Sequence, residues 1–266
     1  MFTPSRRRLV AAGTALVIGT LLAPVASAQS PDDIKKKGTL TVGMLVDFPP
    51  YGTVDSSNQP DGYDADVAKA LAKDLGVKLN LVPVTGPNRI PYLLTNKVDL
   101  LVASLAVTPE RAKQVQFSKP YSAATIVLYG AKKLPIKAPA DLKGVRVAVA
   151  RASTQDTALT AIAPEGTEIR RFDDDASAMQ ALLSGQVDAI GCSTTVAAQI
   201  AKRAPAGAYE NKLVLKQQFM AVAMRPGQAD LQKAVDGFVT KNVANGELNK
   251  LYRKWLETDL PALTTN

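Results

Sequence analysis

Hydrophobic positions along the chain fall into short blocks whose period switches between strand and helix. Residues 40–44 read as a strand. Residues 64–75 read as a helix, because Val67, Leu71 and Leu75 recur at i, i+4 and i+8 and Gly76 ends the pattern. Residues 79–84 read as a second strand, 89–94 as a short helix and 100–104 as a third strand. The order then restarts, with a strand over 145–150, a helix over 154–162, a strand over 168–172, a helix over 176–183 ended by Gly185, and a strand over 189–192. Strand and helix patterns in alternation predict an α/β protein.

The restart carries an internal echo. Leu93-Leu94-Thr95 leads through Val98-Asp99 into an apolar run ending at Ser104, and Leu182-Leu183-Ser184 leads through Val187-Asp188 into one ending at Ser193. The two copies occupy corresponding places in the strand-helix order, which predicts two related α/β lobes. Ser104 and Ser193 then fall at carboxyl ends of strands, where open α/β sheets bind ligands. Two β-rich runs, 126–129 and 219–224, read as crossings between lobes. The tail reads as two helices, one with Leu231, Ala234, Val235, Phe238 and Val239 in an apolar stripe, the next with Leu248, Leu251, Tyr252, Trp255 and Leu256. A two-strand hinge permits the lobes to close around a ligand.

The first residues belong to export rather than to the fold. Arg6, Arg7 and Arg8 precede an apolar stretch over 9–25, and Ala26-Ser27-Ala28 is a cleavage site, so residues 1–28 read as a signal peptide. Ser5-Arg6-Arg7 also fits a twin-arginine signal; the general secretory route and the twin-arginine route both stay open. Gly13, Gly19 and Pro24 interrupt the stretch and speak against a membrane anchor.

Composition narrows the chemistry. The net charge of +8 includes the three leader arginines, whose removal leaves +5. The basic residues are scattered rather than clustered, which argues against nucleic acid as a partner. A mild positive field favours small anions. The chain has no histidine, which excludes Ser-His and Cys-His catalysis and any His-ligated metal. Its one cysteine, Cys192, reads as a buried structural thiol. No cofactor motif, phosphate-binding glycine loop or metal-ligand spacing is present in the sequence.

The most informative segment runs over 98–121. An apolar run ends at Ser104, and Thr108-Pro109-Glu110-Arg111 opens a helix, Thr108 as cap and Pro109 at the first helical position. Helix N-termini favour acids, so Arg111 there calls for an anion; the planar fork of Arg holds a carboxylate in a bidentate pair. This segment resembles the amino-acid-binding family of bacterial periplasmic solute-binding proteins. So do Gly38-Thr39-Leu40, Phe48-Pro49-Pro50-Tyr51, Gly62-Tyr63-Asp64-Ala65-Asp66 and Val187-Asp188-Ala189.

The resemblance implies a two-lobed periplasmic binding protein fold with a ligand cleft between lobes and two crossing strands. Lobe 1 is expected over 29–125 and 220–266, and lobe 2 over 126–219. It implies a periplasmic, monomeric component of an ABC importer. Such a protein captures a small carboxylate ligand, a polar or acidic amino acid or related organic acid, and passes it to a membrane ABC permease. Within the family Arg111 matches the residue that holds the ligand's α-carboxylate, and Phe48 a lid that stacks on the ligand. Ser104 and the backbone of Ala106 line the same wall. Thr108 is expected to cap its helix, touch the ligand, or both. Ser153 and Thr154 open a helix that closes on the carboxylate from the other lobe. Arg89 either reaches a side-chain carboxylate of the ligand or is a solvated helix-start residue. Leu45 stands where binders of basic amino acids carry an Asp.

The chief departure is Ser193. The family usually has an Asp there to hold the α-ammonium. Either another acid, such as Asp156, replaces it, or the ligand lacks an ammonium. An enzyme reading, a cyclohexadienyl dehydratase on the same fold, is the alternative. A sensory module is normally fused to a transmembrane segment, and no second long apolar run follows the leader here.

Overall fold

A computed structural model describes residues 29–263, so the leader expected over 1–28 lies outside the described residues. The helices are α1 (Pro31–Lys37), α2 (Tyr63–Leu75), α3 (Arg89–Leu94), α4 (Pro109–Ala112), α5 (Thr154–Ile162), α6 (Asp175–Leu183), α7 (Thr194–Arg203), α8 (Ala229–Ala244) and α9 (Glu247–Leu256). The main strands are β1 (Thr39–Leu45), β4 (Lys78–Val84), β5 (Leu100–Leu101), β6 (Gln116–Ala131), β7 (Arg146–Ala150), β8 (Glu168–Phe172), β9 (Ala189–Ser193) and β10 (Tyr209–Met224). A small hairpin, β2 (Thr53–Val54) and β3 (Pro60–Asp61), lies beside them.

The main strands form one sheet in the order β4-β1-β5-β10-β6-β9-β7-β8. Its two ends are built alike. β4, β1 and β5 are mutually parallel, with the first strand in the middle, and β8, β7 and β9 repeat that order. The long antiparallel pair β6 and β10 joins them, β10 meeting β5 and β6 meeting β9. The fold is therefore α/β and two-lobed, with two crossing strands. In each lobe the chain leaves the middle strand on opposite sides, and this reversal opens a crevice at the strands' carboxyl ends.

The core explains the sequence blocks. Leu40 and Val42 of β1 share one buried cluster with Val67 and Leu71 of α2, which is the helical stripe read from the sequence. In lobe 2, Val147, Val149, Leu159 and Ala189 form a second cluster. At about 25 cal/mol per Å² of apolar surface, each fully buried Leu or Val contributes about 1.5–3 kcal/mol. Leu231, Val235, Phe238 and Val239 of α8, with Leu248 and Tyr252 of α9, pack into the first cluster. Among the described residues, no helix is long and apolar enough to cross a membrane.

Several elements differ from expectation. The third strand is short: Val102, Ala103 and Leu105 are buried but leave the ladder after Leu101. The crossing strands are each 16 residues long and include the polar stretches before the apolar runs. Helices α1 and α7 were not expected from the apolar pattern.

Candidate functional site

The residues that follow the strands converge on one cleft between the lobes. After β1 come Asp47 and Phe48, after β4 Gly86 and Arg89, and after β5 Ser104, Ala106 and Arg111. After β7 come Ser153, Thr154 and Gln155, and after β8 Asp173, Asp174 and Asp175. Of the residues expected to bind ligand, Phe48, Arg89, Ser104, Ala106, Arg111, Ser153 and Thr154 thus share one site.

Arg111 owes its position to its helix. Thr108 Oγ1 accepts the Arg111 N–H at 3.3 Å, and Pro109 occupies the first helical position. The guanidinium donates to Ala106 O at 3.0 Å and, across the cleft, to Ala152 O at 2.9 Å. Burial, followed by the nearby Arg89, pushes its pKa down to about 9. Arg89 is buried, so the solvated alternative does not hold. Its Nη1 donates to Ala103 O at 2.8 Å, and burial lowers its pKa. Among the described residues neither guanidinium is in an ion pair with an acid. Two desolvated cations facing one cleft favour an anionic guest.

The walls are set by local geometry. Ser104 has a left-handed φ of 46°. Its Oγ donates to Asp64 Oδ2 at 2.7 Å, and Tyr121 OH donates to Asp64 Oδ1 at 2.8 Å while accepting the Ser104 N–H at 3.1 Å. Asp64 is fully buried, and desolvation, only partly offset by these hydrogen bonds, raises its pKa to about 6. Phe48 stacks on Tyr51, ring centres 5.1 Å apart. Its loop is closed by Gly52, where an added Cβ would lie 1.9 Å from Leu45 O. Opposite, Ala152 holds a φ of 55°, a conformation that strains any residue with a Cβ. Ser153 caps α5, accepting the Asp156 N–H at 3.1 Å and donating to Ala150 O at 2.6 Å. Thr154 Oγ1 is hydrogen-bonded to Gln218 Oε1. Ser153, Thr154 and Gln155 at the start of α5 line this cleft, and the first N–H groups of a helix lack intrahelical carbonyl partners.

The lobes touch across the cleft. Beyond the Arg111–Ala152 bond, Ala176 N donates to Asp47 O at 3.1 Å. Gly86 approaches so closely that a Cβ there would lie 2.8 Å from Arg151 O.

Two expected ligand residues act as helix caps. Thr108 caps α4, and beside Arg111 it lines a hollow that Ser153 and Thr154 line from the other lobe. Ser193 is fully buried, caps α7 by accepting the Val196 N–H at 3.2 Å, and pairs with Thr195 Oγ1 at 2.7 Å. It lies outside the lining of the main cleft. Asp156, considered as a replacement acid, also lies outside that lining and pairs with Arg171 at 2.9 Å. Cys192 is buried as expected, and burial raises its thiol pKa.

Sequence reasoning missed the acids. Asp47 is raised to about 6, by burial first and then by Asp174; Asp175 is raised to about 7, by burial first and then by Asp47. The signal available was the run Asp173-Asp174-Asp175 directly after a strand. Among the described residues no group of metal-ligating side chains converges.

Comparison with known proteins agrees with this geometry. Residues 40–258 match the bacterial extracellular solute-binding proteins, family 3. The L-cystine-binding protein TcyJ of Escherichia coli is 29% identical over 92% of this chain and 93% of its own length. Among solved structures, the solute receptor for L-cysteine of Neisseria gonorrhoeae aligns with a TM-score of 0.79. It is 32% identical, over 86% of this chain and 94% of that one. An ancestral amino acid-binding protein, described as a precursor of cyclohexadienyl dehydratase, aligns with a TM-score of 0.78. It is 37% identical, over 85% of this chain and 99% of that one.

Proposed function

The chain belongs to family 3 of the bacterial extracellular solute-binding proteins, and on that premise we propose that it is the periplasmic binding component of an ABC importer. It captures a small carboxylate solute, a polar or acidic amino acid or related organic acid, and delivers it to a membrane permease. The observation that carries this reading is Arg111: a desolvated guanidinium, in no ion pair among the described residues, at the mouth of a two-walled cleft. The ligand's carboxylate replaces one of the two carbonyls that Arg111 now contacts, and the N-terminus of α5 meets it from lobe 2. Leu45 lines the same cleft where an acid would suit a basic side chain, which favours a neutral or acidic one. Relatives named for L-cystine and L-cysteine support an α-amino acid as the ligand class.

We place the lobe limits at 125/126 and 219/220. Ile126 of β6 pairs with Ser193 of lobe 2, and Met220 of β10 bridges to Ala106 of lobe 1.

A screen of ligand-induced thermal shifts tests the reading, set with the amino acids against keto, hydroxy and dicarboxylic acids. The expected result is a shift for a narrow set of carboxylates and none for sugars or cations. A response to sugars alone would remove it. A second reading, a dehydratase on this fold, draws on Asp175, a buried acid lining the cleft whose pKa burial raises to about 7. Incubation with prephenate and arogenate separates the two, and the binding reading expects no product.

A further inference from the structure

The end of the cleft beyond Arg111 is lined by acids from both lobes. Asp173 is exposed and reaches Arg151 at 3.4 Å. Asp174 caps α6 by accepting the Ser177 N–H at 2.6 Å. Asp175 differs from both. It is only 8% exposed, its Oδ1 accepts from Gln155 Nε2 at 2.9 Å, and its Oδ2 has no partner among the described residues. Asp47 stands on the opposite lobe, held next to Asp175 by the 3.1 Å bond from Ala176 N to Asp47 O. Arg89, 5% exposed, also faces this space and spends one N–H on Ala103 O, leaving its Nε and Nη2 without partners among the described residues. One end of the cleft therefore holds both a buried cation with free donors and a buried acid, Asp175, with a free acceptor, faced by the half-buried Asp47. That is a surface for a guest carrying charges of both signs.

We propose that Asp175, faced by Asp47 from the other lobe, receives the ammonium group of an α-amino acid, and that this cation couples lobe closure to the ligand's positive charge. The inference rests on the reading of the cleft as a carboxylate-solute site and adds the ligand's second charge. The acid it invokes lies on the loop after β8 rather than at the end of β9. Ser193, at the end of β9, is neutral, buried and turned into its own helix.

The physical reason is repulsion across a closing interface. Two carboxylates brought together in a poorly solvated space resist ionisation. The groups facing Asp175 are Asp47, Asp174, Gln155 and Arg89. Arg89 and the Gln155 amide favour its charge, while Asp47 and Asp174 oppose it, and burial outweighs all of them. A ligand ammonium between the lobes removes this opposition, and a deaminated analogue does not.

Calorimetry at pH 7.5 tests the proposal. The titrants are L-glutamate, L-glutamine, L-cysteine and L-cystine, each paired with its deaminated analogue: glutaric acid, glutaramic acid, 3-mercaptopropionic acid and 3,3′-dithiodipropionic acid. The proteins are the wild type, Asp175→Asn, Asp47→Asn and Arg111→Lys. Wild type should prefer an amino acid over its analogue by about tenfold or more, the scale of a desolvated charge pair. Asp175→Asn should erase that preference without weakening the analogue, and Asp47→Asn should reduce it. Arg111→Lys should weaken amino acid and analogue together. A preserved preference in both Asp variants overturns the proposal, and the carboxylate reading then stands if Arg111→Lys still weakens both titrants. An amino acid and analogue bound equally by wild type also overturns it. Absence of binding by every titrant to wild type overturns the carboxylate reading and the proposal with it.

Discussion

The two echoed segments, Leu93 to Ser104 and Leu182 to Ser193, do the same structural job and then diverge in chemistry. In lobe 1, Asp99 N donates to Thr41 O and Asp99 Oδ2 accepts the Thr41 N–H, both at 2.8 Å. In lobe 2, Asp188 N donates to Arg146 O at 2.8 Å and Asp188 Oδ2 accepts the Arg146 N–H at 3.1 Å. Each Asp thus clips the third strand of its lobe onto the start of the first. Past the strand, the paths part. The chain after β5 makes a strained turn at Ser104, enters the cleft and delivers Arg111. The chain after β9 turns at once into α7, and Ser193 is consumed as its cap. The comparison teaches that the repeated unit fixes where a strand ends, whereas the residues just past that end decide whether the position meets ligand or merely starts a helix.

The largest expected effect comes from breaking the clips. Asp99 is buried and also accepts from Gln29 at 2.8 Å and Lys37 at 3.0 Å. Asp99→Asn should cost about 2–3 kcal/mol of unfolding free energy at pH 7, the range for hydrogen bonds to a charged group. Asp188→Asn should cost about 1 kcal/mol, because Asp188 is more exposed than Asp99. The pH dependence has a definite sign. Burial pushes the Asp99 carboxyl up, but the bonds from Gln29, Thr41 and Lys37 outweigh it, and its pKa lies below the ordinary value. The stability it contributes is present above about pH 4 and is lost as pH falls through the folded-state pKa. Urea melts of wild type and Asp99→Asn should therefore converge at acid pH; a constant gap from pH 7 to pH 3 contradicts the ionic clip.

A smaller pair of effects separates the two serines. Ser104→Ala removes one of the two side-chain donors to the buried Asp64, leaving only Tyr121 OH, and should cost about 1–3 kcal/mol together with a loss of ligand affinity. Ser193→Ala removes a helix cap and the bond to Thr195, costing about 1 kcal/mol, with affinity unchanged. A clear affinity loss in Ser193→Ala would return that residue to the ligand site. The smallest expected effect is a gain. Ala152 occupies a left-handed conformation, so Ala152→Gly should raise stability by up to about 1 kcal/mol in thermal melts. A loss would show that the strain at this turn has been misread.

The lobe strands were legible because buried three-strand units are written in apolar blocks with glycine stops, such as Leu71, Leu75 and Gly76. The outer reaches of β6 and β10 were not, since residues 116–123 pair with 219–224 and residues 209–216 with 126–131, so each less apolar stretch takes its strand form from the apolar run of the other strand. Helix α1 announces itself by Ser30, Pro31 and Asp33, a capping box with proline at the first position, yet it buries only Ile34 and so lacks a stripe. Arg111 was legible because a guanidinium at a helix start contradicts the local rule. Asp175 was hidden because an acid at a helix start obeys it. Only packing distinguishes the buried Asp175 from its exposed neighbour Asp173.

Small-angle scattering on wild type and Arg111→Lys, with and without a saturating amino acid from the thermal-shift screen, tests most directly whether a carboxylate on Arg111 draws the lobes together. The account predicts a smaller radius of gyration for the liganded wild type, with the variant needing about tenfold or more extra ligand to reach it. Compaction of both proteins at the same ligand concentration, or equal radii with and without ligand in the wild type, would contradict it.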